Sequence, residues 1–363
     1  SRTQQLYRKP FLPNNHGKYR NVKRFSFSSP HSNFPLHFFV SEQGYPAKTG
    51  DVLFLVKLPC SYAIVGGIDM RCGLSLSGGS LRGAAHIGAI KVLDRHGLRP
   101  SAIAGTSAGS IVAALYASGL TGEQMEAFAL SLDPKKVFDK AIKAWQYSLV
   151  LAKIIGDFAG FNPKIKAPDG LFKGDYIAEE IAKRTGGKRF SDLQMTTIIN
   201  AVDLDTGDEV VFTNGEINLL RIQDYSTDGH LWEAVRASIS LPGIFVPFKW
   251  RGRRLIDGGI ASVNPARLLK RLGLPMVVAV DVSVDIDNSP LPDNFLEVLM
   301  RSYDLLNYRK NREELRLYAD KVVKAGVRGV GLKEFSRLKE VIDYGETAME
   351  KALKQVGVGF LRS

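Results

Sequence analysis

The 363-residue chain has only two cysteines, Cys60 and Cys72. Two cysteines do not make a disulfide framework, and no CxxC or Cys/His cluster has the spacing of a zinc site. Cysteine usage this sparse fits a reducing compartment. Long apolar runs are missing too. No stretch reaches the roughly 18 uncharged apolar residues that a membrane-spanning helix needs. The nearest candidate, Val52 to Gly67, is interrupted by Lys57 and Pro59, and it lies too far along the chain for a signal peptide. A cytoplasmic location is therefore expected, with any membrane contact peripheral. Histidine is scarce and unevenly placed: there are six, and none follows His230. No long internal repeat is visible.

Acidic residues are also in deficit. The net charge is +12, which favours acidic partners such as nucleic acid or an anionic membrane surface. Half of that excess sits in residues 1–69, where nine Lys or Arg face Glu42, Asp51 and Asp69 alone. This stretch lacks a sustained period and precedes the first methionine, Met70. It is expected to be a basic extension, disordered or never meant to fold. No nucleic-acid-binding motif is recognisable, so nucleic acid is not the expected partner.

From Arg71 onward, short apolar strands alternate with helical patterns. Residues 72–77 and 102–105 predict buried strands, and 84–96 and 107–118 predict helices. Residues 196–202 and 209–213 predict strands around a turn at Asp205-Thr206-Gly207. Met276 to Val282 is the continuous apolar run of a fully covered parallel strand. The alternation predicts an α/β fold, a mostly parallel sheet sandwiched between helices in three layers. Residues 70–290 would form a single catalytic domain, with 291–363 as C-terminal helices packed on it. Residues 295–324 and 335–354 read as amphipathic helices.

Three motifs carry chemistry. Gly105-Thr106-Ser107-Ala108-Gly109 matches G-x-S-x-G, a sharp strand-to-helix turn that raises a serine above the sheet edge. The same five residues also suit a turn whose serine caps a helix. Gly78-Gly79-Ser80-Leu81-Arg82-Gly83 follows a strand and opens a helix, exposing several backbone N–H groups in one direction. Such a loop either cradles phosphate or stabilises an oxyanion. Phosphate is the weaker choice, because Ser80 replaces the middle glycine of the dinucleotide fingerprint and Ala84 replaces the P-loop lysine. Asp257-Gly258-Gly259 follows the apolar pair Leu255-Ile256. It suits either a desolvated carboxylate able to take a serine proton or an ordinary Asp-Gly turn. Among the six histidines, His86 lies on the helix after the glycine loop and His230 follows Asp228 in a polar, turn-like stretch; neither sits in a context that favours catalysis.

The three motifs, in this order and spacing, resemble the patatin-like phospholipase family. LSGGSLRGAAHIGAIKVL, GTSAGSIVAALYASG, ASISLPGIFVPF (Ala237 to Phe248) and GGIASVNPA (Gly258 to Ala266) agree with it as well, and the resemblance covers roughly residues 72 to 285. It implies Ser107 as nucleophile and Asp257 as general base. It implies an oxyanion hole from Gly78, Gly79, Ser80, Arg82 and Gly83, and a nucleophile elbow flanked by Gly105 and Gly109. Ser80 departs from the family, which usually has a third glycine there. The implied activity is lipid acyl hydrolysis through an acyl-enzyme, with no metal or other cofactor, on a phospholipid or other acyl lipid. Soluble carboxylesterase or thioesterase activity and a non-catalytic lipid-binding module are the alternatives. The segment Trp145 to Phe158, with Lys140, Lys143 and Lys153, fits either an amphipathic lid bordering an acyl groove or a core helix.

Overall fold

The computed structural model describes residues 71–141, 169–220, 222–284, 295–331 and 334–355, with short pieces at 22–27, 36–41, 64–65, 68–69, 152–153, 155–160 and 292–293. The chain divides into two compact units, residues 1–58 and 59–363. In the first, Val22–Phe27 and Leu36–Ser41 pair antiparallel, from Val22 opposite Ser41 to Phe27 opposite Leu36.

The second unit is organised by a nine-stranded sheet. Its strands in chain order are β1 (Cys72–Leu76), β2 (Ala102–Gly105), β3 (Thr196–Asp203), β4 (Glu209–Thr213), β5 (Asp224–Ser226), β6 (Phe248–Trp250), β7 (Arg253–Asp257), β8 (Met276–Asp281) and β9 (Lys321–Lys324). The spatial order is β5-β4-β3-β2-β1-β8-β9, with β7 added on β3 and β6 on β7. From β3 to β9 the pairing is parallel throughout. β4, β7 and β6 supply the antiparallel pairs. The helices that matter below are α1 (Ala84–Arg95), α2 (Ala108–Ala117), α3 (Gly122–Ser131), α4 (Asp175–Thr185), α5 (Leu231–Ser238), α6 (Ala266–Arg271), α7 (Phe295–Tyr318) and α8 (Leu338–Gln355).

The sheet is covered on both faces because successive strand side chains point to opposite sides. Leu74, Leu76, Ile103 and Ile199 enter one core, shared with α1, α2, α5 and α8. Ala102, Ala104, Ile198 and Val277 enter a second core on α6. Burying each of the larger side chains contributes about 1.5–3 kcal/mol. The result is the expected mostly parallel sheet between helical layers. The predicted strands 102–105 and 209–213 appear with those limits. The helix expected over 295–324 ends at Tyr318, and Lys321–Lys324 becomes the edge strand β9. The β-branched pair Val322-Val323 favours extended backbone. Asp320 anchors the change of direction by exchanging hydrogen bonds with Val277, its carboxylate accepting at 2.6 Å.

One strand brings the sequence motifs together. β3 is shared along its length: Gly105 at the end of β2 lies opposite Ile199, and Asp257 at the end of β7 lies opposite Ala201. β2 and β7 run in opposite directions against the same edge of β3, so their C-terminal ends meet. Two residues of strand separate the two registers, about 7 Å. Residues 107 and 257, 150 positions apart in the chain, therefore face each other.

Candidate functional site

Ser107 sits between β2 and α2 with φ 50° and ψ −121°, a conformation that costs a non-glycine residue energy. The flanking glycines are required by space. A Cβ on Gly105 would lie 2.4 Å from the Gly109 carbonyl oxygen, and one on Gly109 would lie 2.4 Å from that of Leu76. Helix α2 thus starts directly against the end of β1, and Ser107 is held at its N-terminus, the positive end of the helix dipole. The Ser107 N–H donates to the Ser238 hydroxyl at 2.9 Å. Thr106 donates its hydroxyl proton to the Asn200 side-chain oxygen at 2.8 Å.

Asp257 ends β7 and is buried. Its Oδ1 accepts from the Gly259 N–H at 2.7 Å, and its own N–H donates to the Ser240 carbonyl at 3.0 Å. Ser107 lines the same cavity as this carboxylate, and its side chain lowers the carboxylate's proton affinity. Burial pushes the carboxyl up to about 6, against the opposing pull of the bonds from Gly259, Ser107 and Tyr303. Both glycines after Asp257 are tight contacts: a Cβ on Gly258 would meet the Asn200 carbonyl, and one on Gly259 would meet the Tyr303 hydroxyl.

The Gly-rich loop lies beside Ser107, whose Cβ would be 3.3 Å from a Cβ placed on Gly78. Its expected N–H donors divide into two groups. The Gly78 N–H is taken by the Val263 carbonyl at 2.8 Å, and the Arg82 N–H by the Gly79 carbonyl at 3.1 Å. Among the described residues the Gly79 and Ser80 N–H groups, at the head of the 3₁₀ turn Ser80–Gly83, find no such backbone acceptor. Gly83 is buried, at the close approach of the loop to Ala108. Ser80 has φ 53°, a left-handed conformation that glycine adopts more readily. The Arg82 side chain pins the loop outward: its Nε donates to the Val282 carbonyl at 3.1 Å and its guanidinium pairs with Asp304 at 3.3 Å.

A cavity of about 190 Å³ opens over these groups. Ser107, Asp257 and the Gly78–Arg82 loop lie on one side. Ile111, Phe128, Val137, Ile177, Ile181 and Phe245 make an apolar wall, and α7 closes the other side with Met300, Tyr303, Asn307 and Tyr308. The expected lid residues Trp145, Tyr147, Leu149, Val150, Leu151 and Ile154 lie outside the described residues. Ile155 and Phe158 are described, exposed and not part of the cavity lining.

Three partners of the site were not anticipated. Asn200 on β3 joins the two motif turns, accepting from Thr106 and donating to the Gly258 carbonyl at 3.2 Å. Ser238 ends α5. Tyr303 places its hydroxyl 3.4 Å from Asp257 Oδ1. None stands in a motif, and only the sheet register and helix packing bring them in. His86 is fully buried, hydrogen-bonded to the Ser77 carbonyl at 2.8 Å, and lowered to about 4 by burial. The His230 ring meets the Gly187 carbonyl at 2.8 Å, at the start of α5. Among the described residues no group of three His, Cys, Asp or Glu gathers as a metal site. Among them no helix is long and apolar enough to cross a membrane.

Relatives extend this picture. Lysophospholipase NTE1 of Meyerozyma guilliermondii is 26% identical over 283 residues, which cover 78% of this chain and 17% of that protein. Lysophospholipase NTE1 of Coccidioides immitis is 30% identical over 218 residues, covering 60% and 12%. The chain thus spans less than a fifth of the length of these relatives. Among solved structures, human GIVD cytosolic phospholipase A2 aligns with a TM-score of 0.41 at 11% identity, covering 93% of this chain and 69% of that one. ExoU of Pseudomonas aeruginosa, in complex with SpcU, aligns at 0.40 and 14%, covering 95% and 60%. The sequence model of the Patatin-like phospholipase family matches residues 74–270, more than half of the chain. The chain belongs to the patatin-like phospholipase family.

Proposed function

We propose that this chain is a lipid acyl hydrolase that cleaves carboxylic esters through a Ser107–Asp257 dyad and an acyl-enzyme. The observation that carries the reading is the placing of Ser107 in one apolar cavity with a buried carboxylate raised to about 6. A carboxylate with that proton affinity is ionised at neutral pH yet accepts a proton more readily than an exposed aspartate.

Ser107 Oγ attacks the ester carbonyl carbon while its proton passes to Asp257. The N–H groups of Gly79 and Ser80, joined by that of Ala108 at the head of α2, hold the oxyanion. Collapse breaks the bond to the alcohol oxygen, which takes the proton back from Asp257 and leaves the acyl group on Ser107. Water then attacks the acyl carbon, giving its proton to Asp257, and the fatty acid departs as Ser107 is reprotonated. The apolar wall suits an acyl chain. Tyr303 holds the carboxylate in position and favours its ionised form. The relatives named above are lysophospholipases, and a phospholipid or another acyl lipid at a membrane surface is the expected substrate.

The test is release of free fatty acid from phospholipid vesicles by the full chain, compared with Ser107→Ala and Asp257→Asn. Loss of release in both, with folding retained, supports the dyad. Turnover by Asp257→Asn near the parent rate sinks it. A preference for water-soluble short esters over long acyl chains would move the assignment to a soluble carboxylesterase.

A further inference from the structure

Helix α7 has two opposed faces. At 3.6 residues per turn, Met300, Tyr303, Asp304, Asn307, Tyr308 and Asn311 share one side, and all of them line the cavity. The opposite side carries Val298, Leu305 and Leu306, which are 49%, 48% and 81% exposed. Leu299, 38% exposed, extends this side across to Gly243. Ile260, 40% exposed, adjoins it, since Lys310 Nζ donates to the Ile260 carbonyl at 2.9 Å. Scattered exposed leucines are ordinary, but a row of them on a wall of the cavity is not.

The same outer line continues with Arg309, Arg312 and Arg316, all exposed. Glu313 is the acid among them, and among the described residues no ion pair includes these three arginines; Arg312 lies over the Tyr308 ring, 5.8 Å from its centre. We propose that the outer face of α7 is a docking surface for an anionic lipid bilayer. Val298, Leu299, Leu305 and Leu306 enter the acyl boundary, and the arginines meet the headgroups. Apolar positions followed by arginines along one helix face are the pattern of an interfacial helix. A second copy of the chain fits the surface poorly, because a two-fold contact sets each arginine row against the partner's leucines when the helices run antiparallel and against the other arginine row when they run parallel. The inference rests on the lipid reading of the site: a helix that walls the cavity and lies on the bilayer delivers the acyl ester directly to Ser107.

The test uses the full chain and two vesicle compositions, phosphatidylcholine alone and phosphatidylcholine with an equal amount of phosphatidylglycerol. Cosedimentation is measured for the parent, for Leu305→Glu with Leu306→Glu, and for Arg309→Glu with Arg312→Glu. The leucine variant is expected to lose about tenfold or more in partitioning to both vesicles, and the arginine variant to lose the preference for the anionic ones. Turnover of a water-soluble short-chain ester is expected to stay at the parent rate in both, because none of these residues lines the cavity. Unchanged partitioning of the leucine variant overturns the proposal, as does a change in its sedimentation mass in place of its vesicle binding. Normal vesicle binding by a Ser107→Ala protein that still hydrolyses the soluble ester would instead sink the dyad and leave the docking surface standing.

Discussion

The turn around Ser107 and the wall made by α7 border the same cavity but are built on opposite principles. At the turn, backbone meets backbone. Gly105 closes on Gly109, and Gly109 closes on Leu76, at distances that admit no side chain. At the wall, side chains of one helix reach across to a carboxylate and a loop, through Tyr303 to Asp257 and Asp304 to Arg82. A backbone-packed site dictates residue type at fixed spacing. A helix-borne wall dictates only which face is turned inward, and many residues satisfy that. The first kind of site is a motif, and the second is visible only once folded.

The largest effects should come from the turn and its carboxylate. Ser107→Ala is expected to lower fatty acid release by about 10⁴-fold or more, and Asp257→Asn by about 10³-fold or more, in single-turnover or steady-state assays. The same Asp257→Asn change should stabilise the fold. The carboxyl is raised from 3.8 to about 6 by burial, so the folded state binds the proton more tightly than the unfolded chain. Its contribution is present below pH 4 and is lost as pH rises through about 6. Asparagine avoids that loss, worth about 3 kcal/mol at pH 8 and falling to about 0.6 kcal/mol at pH 4. Thermal melts at the two pH values measure it. A lower melting temperature for the variant at pH 8 would show that the carboxylate is not the strained partner described here.

Gly109→Ala should cost about 3 kcal/mol of stability, because its Cβ would meet fixed carbonyl groups and not a mobile side chain. An equal cost for an alanine on the outer face of α7 would erase the contrast between turn and wall.

Tyr303→Phe probes the wall. Its phenol donates to the Asp257 carboxylate and favours the ionised form. Loss of that bond should raise the Asp257 pKa. The acid limb of kcat/KM, expected near pH 6, would shift upward, with about a fivefold loss of kcat at neutral pH. A loss of rate without movement of the acid limb would make Tyr303 a packing residue only. The smallest effect concerns Ser80, which holds φ 53°. Ser80→Gly should stabilise by about 0.5–1 kcal/mol, with fatty acid release unchanged. A destabilised variant would show that the serine side chain repays its strained backbone.

Much of the site was legible before folding because its chemistry is tied to backbone shape. A strand, a glycine-flanked serine and a helix can be read from the order of residues 102–118. The glycine loop at 78–83 can be read in the same way, although which of its N–H groups stay free could not. Gly78 gives its N–H to Val263, a partner 185 positions away in the chain, and no local pattern announces that. Asn200 and Ser238 were invisible for the same reason: an asparagine in a strand and a serine at a helix end are ordinary residues until the register of β3 and the end of α5 are known. The misjudged end of α7 is similar. Its charged, periodic sequence runs on into Lys321–Lys324, and only pairing with β8 makes that piece a strand.

The sequence by itself determined the alternation of strand and helix, the two glycine-rich turns, and the carboxylate placed at a strand end, because each is a local demand on backbone conformation. Tertiary structure alone decided that Ser107 and Asp257 meet, that Tyr303 joins them, and that a helix outside the family-matched region closes the cavity. Those contacts join positions far apart in the chain, and their existence depends on the register of β2 and β7 along the shared edge of β3.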